Sequence, residues 1–312
     1  MTQRPALLSL GGMKAALDSQ LVAELEHVDV NGVRLAYRER GDGTPLVLVH
    51  GGISDLTIWD PILDPLARHH RTIAYSRRYA WPNEPIPDGV ADTIAQHAAD
   101  LATLIETLGL GPTDLMGNSW GGFICLVVAR DRPELVRKLV VQEPPMVPLF
   151  LGAPPSPLAL FKTLVTRPKT GRALAGMIFG GMQPTQAALK RGEVQESIEI
   201  FARKVALGDA GFDQLPDWVK EHMKLNAGTH ISQFRNDGGF VPFSARDARL
   251  IQAPVLVMTG EHSPNGLKTL AKELAKLLPN AEEFDVPNAS HVMHVANPDA
   301  AAKATLGFLE KR

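Results

Sequence analysis

The chain has 312 residues, of which 45% are hydrophobic and 21% charged, a balance typical of a globular protein with a sizeable core. Its formal net charge of -2 argues against a nucleic-acid partner, since such proteins usually carry a basic excess. The single cysteine, Cys125, excludes an intrachain disulfide and favours a reducing, cytoplasmic compartment. The apolar run of residues 6–10 is too short for a signal peptide or a membrane span, so we expect no membrane partner.

The first part of the chain predicts an N-terminal arm, a hairpin and a buried strand. Residues 1–24 form the expected arm, with a helix over residues 13–25. Two short strand patterns flank Asn31-Gly32, a pair that suits a two-residue turn because both positions need a positive φ. The continuous apolar run of residues 45–49 is typical of a strand covered on both faces. An amphipathic helix is expected over residues 90–108.

Strand and helix patterns alternate along the chain, and the alternation is interrupted once. Buried-strand patterns stop before residue 146, helical patterns follow, and the next buried strand starts near residue 254. We therefore predict a core of residues 1–145 and 235–312 with an inserted helical cap of residues 146–234. The alternation itself indicates an α/β fold with a mostly parallel sheet, flanked by helices, in which the first hairpin is an antiparallel edge.

The segment Gly117-Asn118-Ser119-Trp120-Gly121-Gly122 lies between an apolar strand pattern and an apolar helix pattern. A Gly-x-Ser-x-Gly sequence at such a junction predicts the sharp strand-to-helix turn called a nucleophile elbow. Glycines two residues before and after the serine let the strand and the helix approach each other closely. The turn exposes the Ser119 hydroxyl, and the N–H of Trp120 points at any oxyanion formed beside it.

Ser119 needs a general base within hydrogen-bond reach, and His291 is the expected one. His291 follows the small residues of the 287–290 loop, between the last strand pattern and the closing helix pattern. This loop is expected at the same edge of the sheet as the elbow. His294 is the nearest alternative, and we expect it to pack beside the site or to face solvent.

Four segments together resemble the α/β-hydrolase superfamily over nearly the whole chain: residues 50–52, 117–122, 254–261 and 291–298. The resemblance implies a mostly parallel eight-stranded sheet with a helical cap, and a catalytic triad in the chain order serine, acid, histidine. The Gly-Asn-Ser-x-Gly-Gly sequence also resembles that of the C–C bond hydrolases that act on ring-cleavage products.

The expected triad acid departs from the usual pattern of the superfamily. Most members have an aspartate after the penultimate strand, where this chain has Ser263. Some haloalkane dehalogenases and lactone hydrolases place a glutamate after the preceding core strand, and Glu143 matches that position. We therefore expect Glu143 to orient His291, with Glu261 or the lack of a working acid as alternatives. A salt bridge to Arg77-Arg78 would instead give Glu143 a structural role.

The second oxyanion donor is expected in the loop after His50-Gly51. The N–H of Gly52 is the first choice, and Ile53 is the neighbour that could replace it. The apolar side chains of the expected cap indicate an uncharged, largely apolar substrate. The residues expected to contact this substrate are Ile53, Trp120, Phe161 and Phe179.

These residues predict a serine hydrolase that cleaves a small-molecule ester or lactone through an acyl-enzyme. Serine at the elbow argues against epoxide hydrolases and dehalogenases, whose nucleophile is a carboxylate. The alternatives are a C–C bond hydrolase acting on a β-diketone or ring-fission product, and a receptor-like ligand-binding protein with weak hydrolysis. No metal or organic cofactor is expected, because the sequence has no P-loop, dinucleotide-binding or zinc-protease motif. The natural substrate, its chain length and the oligomeric state are left open.

Overall fold

A computed structural model describes residues 24–87, 89–235 and 239–311. Residues 1–23, which make up nearly all of the expected N-terminal arm and most of its expected helix, lie outside the described residues.

Within the described residues, the sheet has eight strands: β1 (Glu26–Val30), β2 (Val33–Arg40), β3 (Pro45–Val49), β4 (Arg71–Tyr75), β5 (Thr113–Asn118), β6 (Val136–Gln142), β7 (Val255–Gly260) and β8 (Ala281–Val286). Their order across the sheet is β1-β2-β4-β3-β5-β6-β7-β8. The β1–β2 and β2–β4 pairs are antiparallel, and all the others are parallel. The mostly parallel sheet with an antiparallel edge is therefore confirmed.

Five helices alternate with the sheet strands up to residue 131 and after residue 264, as expected, and one further short helix lies just before the last of them. They are α1 (Asp60–Ala67), α2 (Ile94–Thr107), α3 (Trp120–Asp131), α13 (Asn265–Ala275), α14 (Met293–Ala296) and α15 (Pro298–Leu309). Helix α2 begins at Ile94, later than the expected residue 90, because Thr93 caps it by accepting a hydrogen bond from the N–H of Gln96.

The described part of the chain between β6 and β7 contains helices joined by turns and no strand. Its helices are α4 (Pro148–Leu151), α5 (Pro157–Thr166), α6 (Pro168–Met177), α7 (Gln183–Lys190), α8 (Val194–Phe201), α9 (Asp209–Asp213), α10 (Asp217–Leu225), α11 (Ala227–Arg235) and α12 (Ala245–Leu250). The division into a core and a cap at residues 146 and 234 stays a prediction.

The two faces of the sheet are covered by separate apolar layers. Leu46 and Leu48 of β3 belong to a core cluster with side chains of α1 and α15, whereas Val47 and Val49 pack with α2, α3 and α13. Alternate residues of a strand point to opposite faces, so a fully apolar β3 is what burial on both sides requires. The carboxyl ends of β3, β5 and β6 consequently meet at one edge of the sheet, where the elbow lies.

None of the helices in residues 24–87, 89–235 and 239–311 combines the length and the apolar character needed to cross a membrane.

Candidate active site

Ser119 occupies the tight turn between β5 and α3. Its backbone has φ 50° and ψ -118°, a strained conformation for a residue with a side chain. Two backbone hydrogen bonds stabilise this conformation. The N–H of Ser119 donates to the carbonyl of Gln142 at 2.7 Å, and the carbonyl of Ser119 accepts from the N–H of Phe123 at 3.1 Å. Ser119 is partly exposed, although both of its neighbours in the chain are buried. The turn therefore has the geometry of a nucleophile elbow.

The elbow glycines are required by close backbone contacts. A Cβ atom on Gly121 would lie 2.0 Å from the carbonyl oxygen of Val49, and one on Gly117 would lie 2.5 Å from the carbonyl oxygen of Gly121. Any side chain at these positions would force β3, β5 and α3 apart.

We expect Gly121→Ala to lower the free energy of unfolding by at least about 2 kcal/mol, because the added methyl group collides with backbone that a rotamer change does not relieve. Gly307→Ala is the matched control, since it lies in α15 with no atom within 4 Å of an added Cβ. There, alanine should leave stability unchanged or raise it slightly. Thermal unfolding followed by circular dichroism checks both variants, and equal melting temperatures would contradict the elbow geometry.

Glu143 and His291 form a buried pair at the same edge of the sheet. Glu143 Oε2 lies 2.7 Å from His291 Nδ1, and Glu143 Oε1 accepts a hydrogen bond from the N–H of Gly260 at 3.0 Å. Glu143 is fully buried directly after β6, and its φ of 45° turns the side chain off the strand path. The side chain of Asn118 donates to the carbonyl of His291 at 3.0 Å, which ties the His291 loop to the residue before Ser119.

The other possible acids are placed differently. The Glu261 side chain is 52% exposed and accepts a hydrogen bond from the N–H of Asn288. Ser263 is buried, and its hydroxyl has no hydrogen-bond partner in the described part of the chain. Arg78 pairs with Asp100 at 2.7 Å, so the structural salt bridge considered for Glu143 is not formed there.

Ser119 and His291 border two adjoining cavities. Ser119 lines a cavity of about 430 Å³, His291 lines a smaller one of about 60 Å³, and Gly52 contributes to the walls of both. Among the described residues, no hydrogen bond joins the Ser119 hydroxyl to His291. Such bonds are often long in ligand-free enzymes and shorten when substrate binds.

The loop after β3 is held by a buried arginine. The Arg77 side chain donates to the carbonyls of His50 at 3.2 Å, Gly51 at 2.7 Å and Gly52 at 3.3 Å. The N–H of Arg77 donates in turn to His50 Nε2 at 2.8 Å. Burial lowers the pKa of His50 well below its usual value, so the imidazole is neutral and braces the loop. The loop carrying the expected Gly52 donor is thus fixed beside the elbow.

The larger cavity is mostly apolar and has a few side-chain amides in its wall. Its lining includes Trp120, Val147, Met177, Met182, Phe201 and Phe240, together with Gln183, Gln186 and Gln233. Ile53, expected to contact substrate, lies instead in the wall of the smaller cavity with His291. The cavity therefore suits a largely apolar molecule with some capacity for hydrogen bonding.

Phe161 and Phe179 do not contribute to either of these cavities. Their side chains are 64% and 57% exposed, respectively. Periodicity identifies an apolar helix face, but it does not tell which way the face points when the helix has a second apolar face. The expectation that these two residues contact substrate is therefore corrected by the structure.

Gln233 of α11 is a cavity residue that the sequence did not indicate. Its Nε2 donates to Asp92 at 2.9 Å, and its Oε1 would lie 3.1 Å from a Cβ atom on Gly52. Asp92 is itself fully buried and paired with His97. No motif marks Gln233, and the helix that carries it lacked a clear apolar period, so no sequence signal was available.

His294 packs beside the site, as one of the two expectations for it stated. Its Nδ1 lies 2.8 Å from Gln142 Oε1, and its ring centroid is 4.3 Å from that of Trp59. Burial lowers the pKa of His294 to about 3, so the ring is neutral near pH 7.

The buried His294 should make the fold sensitive to acid. Its pKa is about 3 in the folded chain and about 6.5 when unfolded, so between these values only the unfolded chain binds the proton. Stability is then lost as pH falls, by about 1.4 kcal/mol per pH unit from this group. His294→Asn, which keeps a donor for Gln142, should flatten the dependence of unfolding free energy on pH between 4 and 6.5. The exposed His27→Asn is the control, and an equal slope in all three proteins would contradict the assignment.

Residues 44–298 match the family model described as the alpha/beta hydrolase fold. A related sequence, (E)-2-((N-methylformamido)methylene)succinate hydrolase from Acinetobacter baylyi, is 25% identical over 276 residues, which cover 88% of this chain and 93% of that protein.

Two solved structures share the fold closely. A thermophilic esterase from Thermogutta terrifontis superposes with a TM-score of 0.71 at 20% identity, covering 91% of this chain and 98% of the esterase. The enol-lactonase from Burkholderia xenovorans LB400 gives a TM-score of 0.70 at 19% identity, covering 92% of this chain and 100% of the lactonase. Because the family model spans most of the chain and the sheet has the matching topology, the chain belongs to the alpha/beta hydrolase fold family.

Proposed function

We propose that the protein is a serine hydrolase that cleaves an ester or lactone bond of a largely apolar small molecule. The observation that carries the proposal is the buried Glu143–His291 pair, tied through Asn118 to the elbow that presents Ser119 to an apolar cavity. The Acinetobacter relative is named a hydrolase, which agrees with a hydrolytic reaction.

In the proposed first half-reaction, Ser119 Oγ attacks the substrate carbonyl carbon while His291 Nε2 takes the hydroxyl proton. His291 Nδ1 is engaged by Glu143, so only Nε2 is available for this transfer. The carboxylate keeps the ring in the required tautomer and stabilises the imidazolium that forms. His291 then gives the proton to the leaving alcohol oxygen, and an acyl group remains on Ser119.

The oxyanion of the tetrahedral intermediate accepts hydrogen bonds from the N–H groups of Trp120 and Gly52. Trp120 is the first residue of α3, so its N–H has no acceptor within the helix. The carbonyls of residues 50–52 are directed to Arg77, which fixes the loop before the substrate arrives. Preorganised donors of this kind are each worth about 2.7–4 kcal/mol in the transition state.

In the second half-reaction, a water oxygen attacks the acyl carbonyl carbon while His291 takes a proton from that water, and the bond from this carbon to Ser119 Oγ then breaks. The acid is released, and Ser119 regains its proton from His291. The steps need proton transfer and electrostatic stabilisation alone, so the proposal includes no metal or organic cofactor. We propose that residues 146–234 act as a cap, because Met177, Met182 and Gln233 from that segment line the cavity.

The reaction class is tested by comparing p-nitrophenyl butyrate and an aliphatic lactone with a ring-fission dienone. We expect turnover of the first two at rates well above that of the dienone, because the described residues of the cavity wall include glutamine amides and no cation for a dienolate. Preferential cleavage of the dienone would replace the proposal with C–C bond hydrolysis. Tight binding of all three without turnover would indicate a ligand receptor.

A further inference from the structure

The segment of residues 144–192 has a charge composition unlike the rest of the chain. It contains no aspartate or glutamate, and its charged residues are Lys162, Arg167, Lys169, Arg172, Lys190 and Arg191. The whole chain has a net charge of -2, so the other parts are acidic on balance. Two of these cations are neutralised by carboxylates outside the segment, since Arg167 pairs with Glu273 and Arg191 pairs with Glu193. The remaining cations can attract anions even though the protein as a whole is weakly acidic.

Helix α5 carries an exposed apolar stripe within this segment. Leu158, Phe161 and Val165 are 76%, 64% and 66% exposed, and they recur at helical spacing. Lys162 lies on the same face, one turn after Leu158. The opposite face is buried, with Leu160 packed into the core. We refer to Leu158, Phe161, Lys162 and Val165 as the α5 face.

Further cations follow the α5 face without an acidic counterpart nearby in sequence. Helix α6 packs closely on α5 at Gly171. A Cβ atom added to this glycine would lie only 2.5 Å from the Cα of Leu164. Lys169 and Arg172 of α6 are exposed, and neither they nor Lys162 form a salt bridge with any residue that the structure describes. Their charges are therefore free to meet an external anion.

We propose that the α5 face docks on an anionic phospholipid surface. The apolar side chains would enter the boundary between headgroups and acyl chains, and the cations would lie against lipid phosphates. This form of binding is peripheral and needs no membrane-crossing helix. It revises the expectation of no membrane partner, which was based on the lack of a segment long enough to span a membrane.

Charge favours lipid over a second copy of the chain as the occupant. In a symmetric dimer the same patch meets itself, so Lys162, Lys169 and Arg172 would be brought against their own copies. Like charges brought together in this way oppose association, whereas anionic headgroups neutralise them.

The α5 face lies close to the cavity that Ser119 borders, so docking would bring this cavity near the lipid. Pro155, just before α5, and Ile178, just after α6, both line the cavity that Ser119 borders. A surface-bound molecule would hold the cavity wall close to the acyl chains, from which an apolar substrate can enter. The advantage for substrate entry rests on the proposed function. Docking on lipid does not rest on it and is measured separately.

The test is vesicle sedimentation of the full chain. Vesicles of phosphatidylcholine mixed equally with phosphatidylglycerol should bind the protein, pure phosphatidylcholine should bind it much less, and added salt should weaken binding. Lys162→Glu should weaken binding by at least roughly fivefold. Leu158→Ser combined with Val165→Ser should weaken it by about tenfold or more. The matched control, Leu225→Ser with Leu250→Ser, replaces exposed leucines outside residues 144–192 and should bind like the parent.

Several outcomes would overturn the proposal. These are equal binding to neutral vesicles, an equal loss in the control variant, or a dimer in light scattering that disappears only in the α5 variant. The last result would make a second copy the occupant. Thermal unfolding confirms that each variant is folded. If the parent protein binds anionic vesicles but has no esterase activity, the result supports docking and contradicts the proposed function. Failure of the docking proposal and failure of the proposed function are therefore distinguishable.

Discussion

Ser119→Ala should remove ester hydrolysis, lowering kcat by at least about 10⁴-fold while leaving the protein folded. The expected loss is this large because no other hydroxyl takes the strained position at the junction of β5 and α3. Alanine fits the same turn, since Ser119 Oγ forms no hydrogen bond that supports the fold within the described residues. Release of p-nitrophenolate under conditions of excess substrate measures the effect.

The matched control for this prediction is Ser263→Ala. Ser263 is buried near the Glu143–His291 pair, and its hydroxyl has no partner among residues the structure describes. Loss of this hydroxyl should change kcat by less than about threefold. A large loss in Ser263→Ala, or retained turnover in Ser119→Ala, would move the nucleophile away from the elbow.

Glu143→Gln should lower kcat by roughly 10⁴-fold, because an amide holds the wrong tautomer of His291 and does not stabilise the imidazolium. The substitution keeps the shape of the side chain, and the amide oxygen can still accept from the N–H of Gly260. The fold should therefore persist, and the effect should appear in kcat more than in KM.

Glu261→Gln provides the comparison, since Glu261 is the other carboxylate considered for the acid. Its half-exposed side chain accepts a hydrogen bond from the N–H of Asn288, and the amide oxygen of glutamine can do the same. We expect turnover close to that of the parent protein. A larger loss in Glu261→Gln than in Glu143→Gln would assign the acid role to Glu261.

The elbow and the sheet could be predicted from sequence because their signals are local. A continuous apolar run such as residues 45–49 predicts a strand that is covered on both faces. Strand β3 is such a strand, since Leu46, Val47, Leu48 and Val49 are all buried. The Asn31-Gly32 turn has φ values of 44° and 76°, as that pair of residues indicates. Glu143 could be selected because it matches the position of the acid in some haloalkane dehalogenases and lactone hydrolases, and a carboxylate at the end of an apolar strand needs a partner when buried.

The parts that sequence did not predict depend on long-range packing. Whether Phe161 faces the cavity or solvent is decided by how α5 packs on α6, and helical periodicity is the same in both cases. Gln233 reaches the cavity through its bond to Asp92, which is distant in sequence. Phe161, which lies on the exposed α5 face, was expected to contact substrate because an apolar side chain does not by itself indicate what surrounds it.

The measurement that tests the central claim most directly is labelling by a fluorophosphonate, followed by intact mass and peptide mapping. The geometry predicts one adduct per chain on Ser119, formed much more slowly in Glu143→Gln and absent in Ser119→Ala. An unlabelled parent protein, or an adduct that forms at the parental rate in Ser119→Ala, would contradict a serine nucleophile activated by His291 and Glu143.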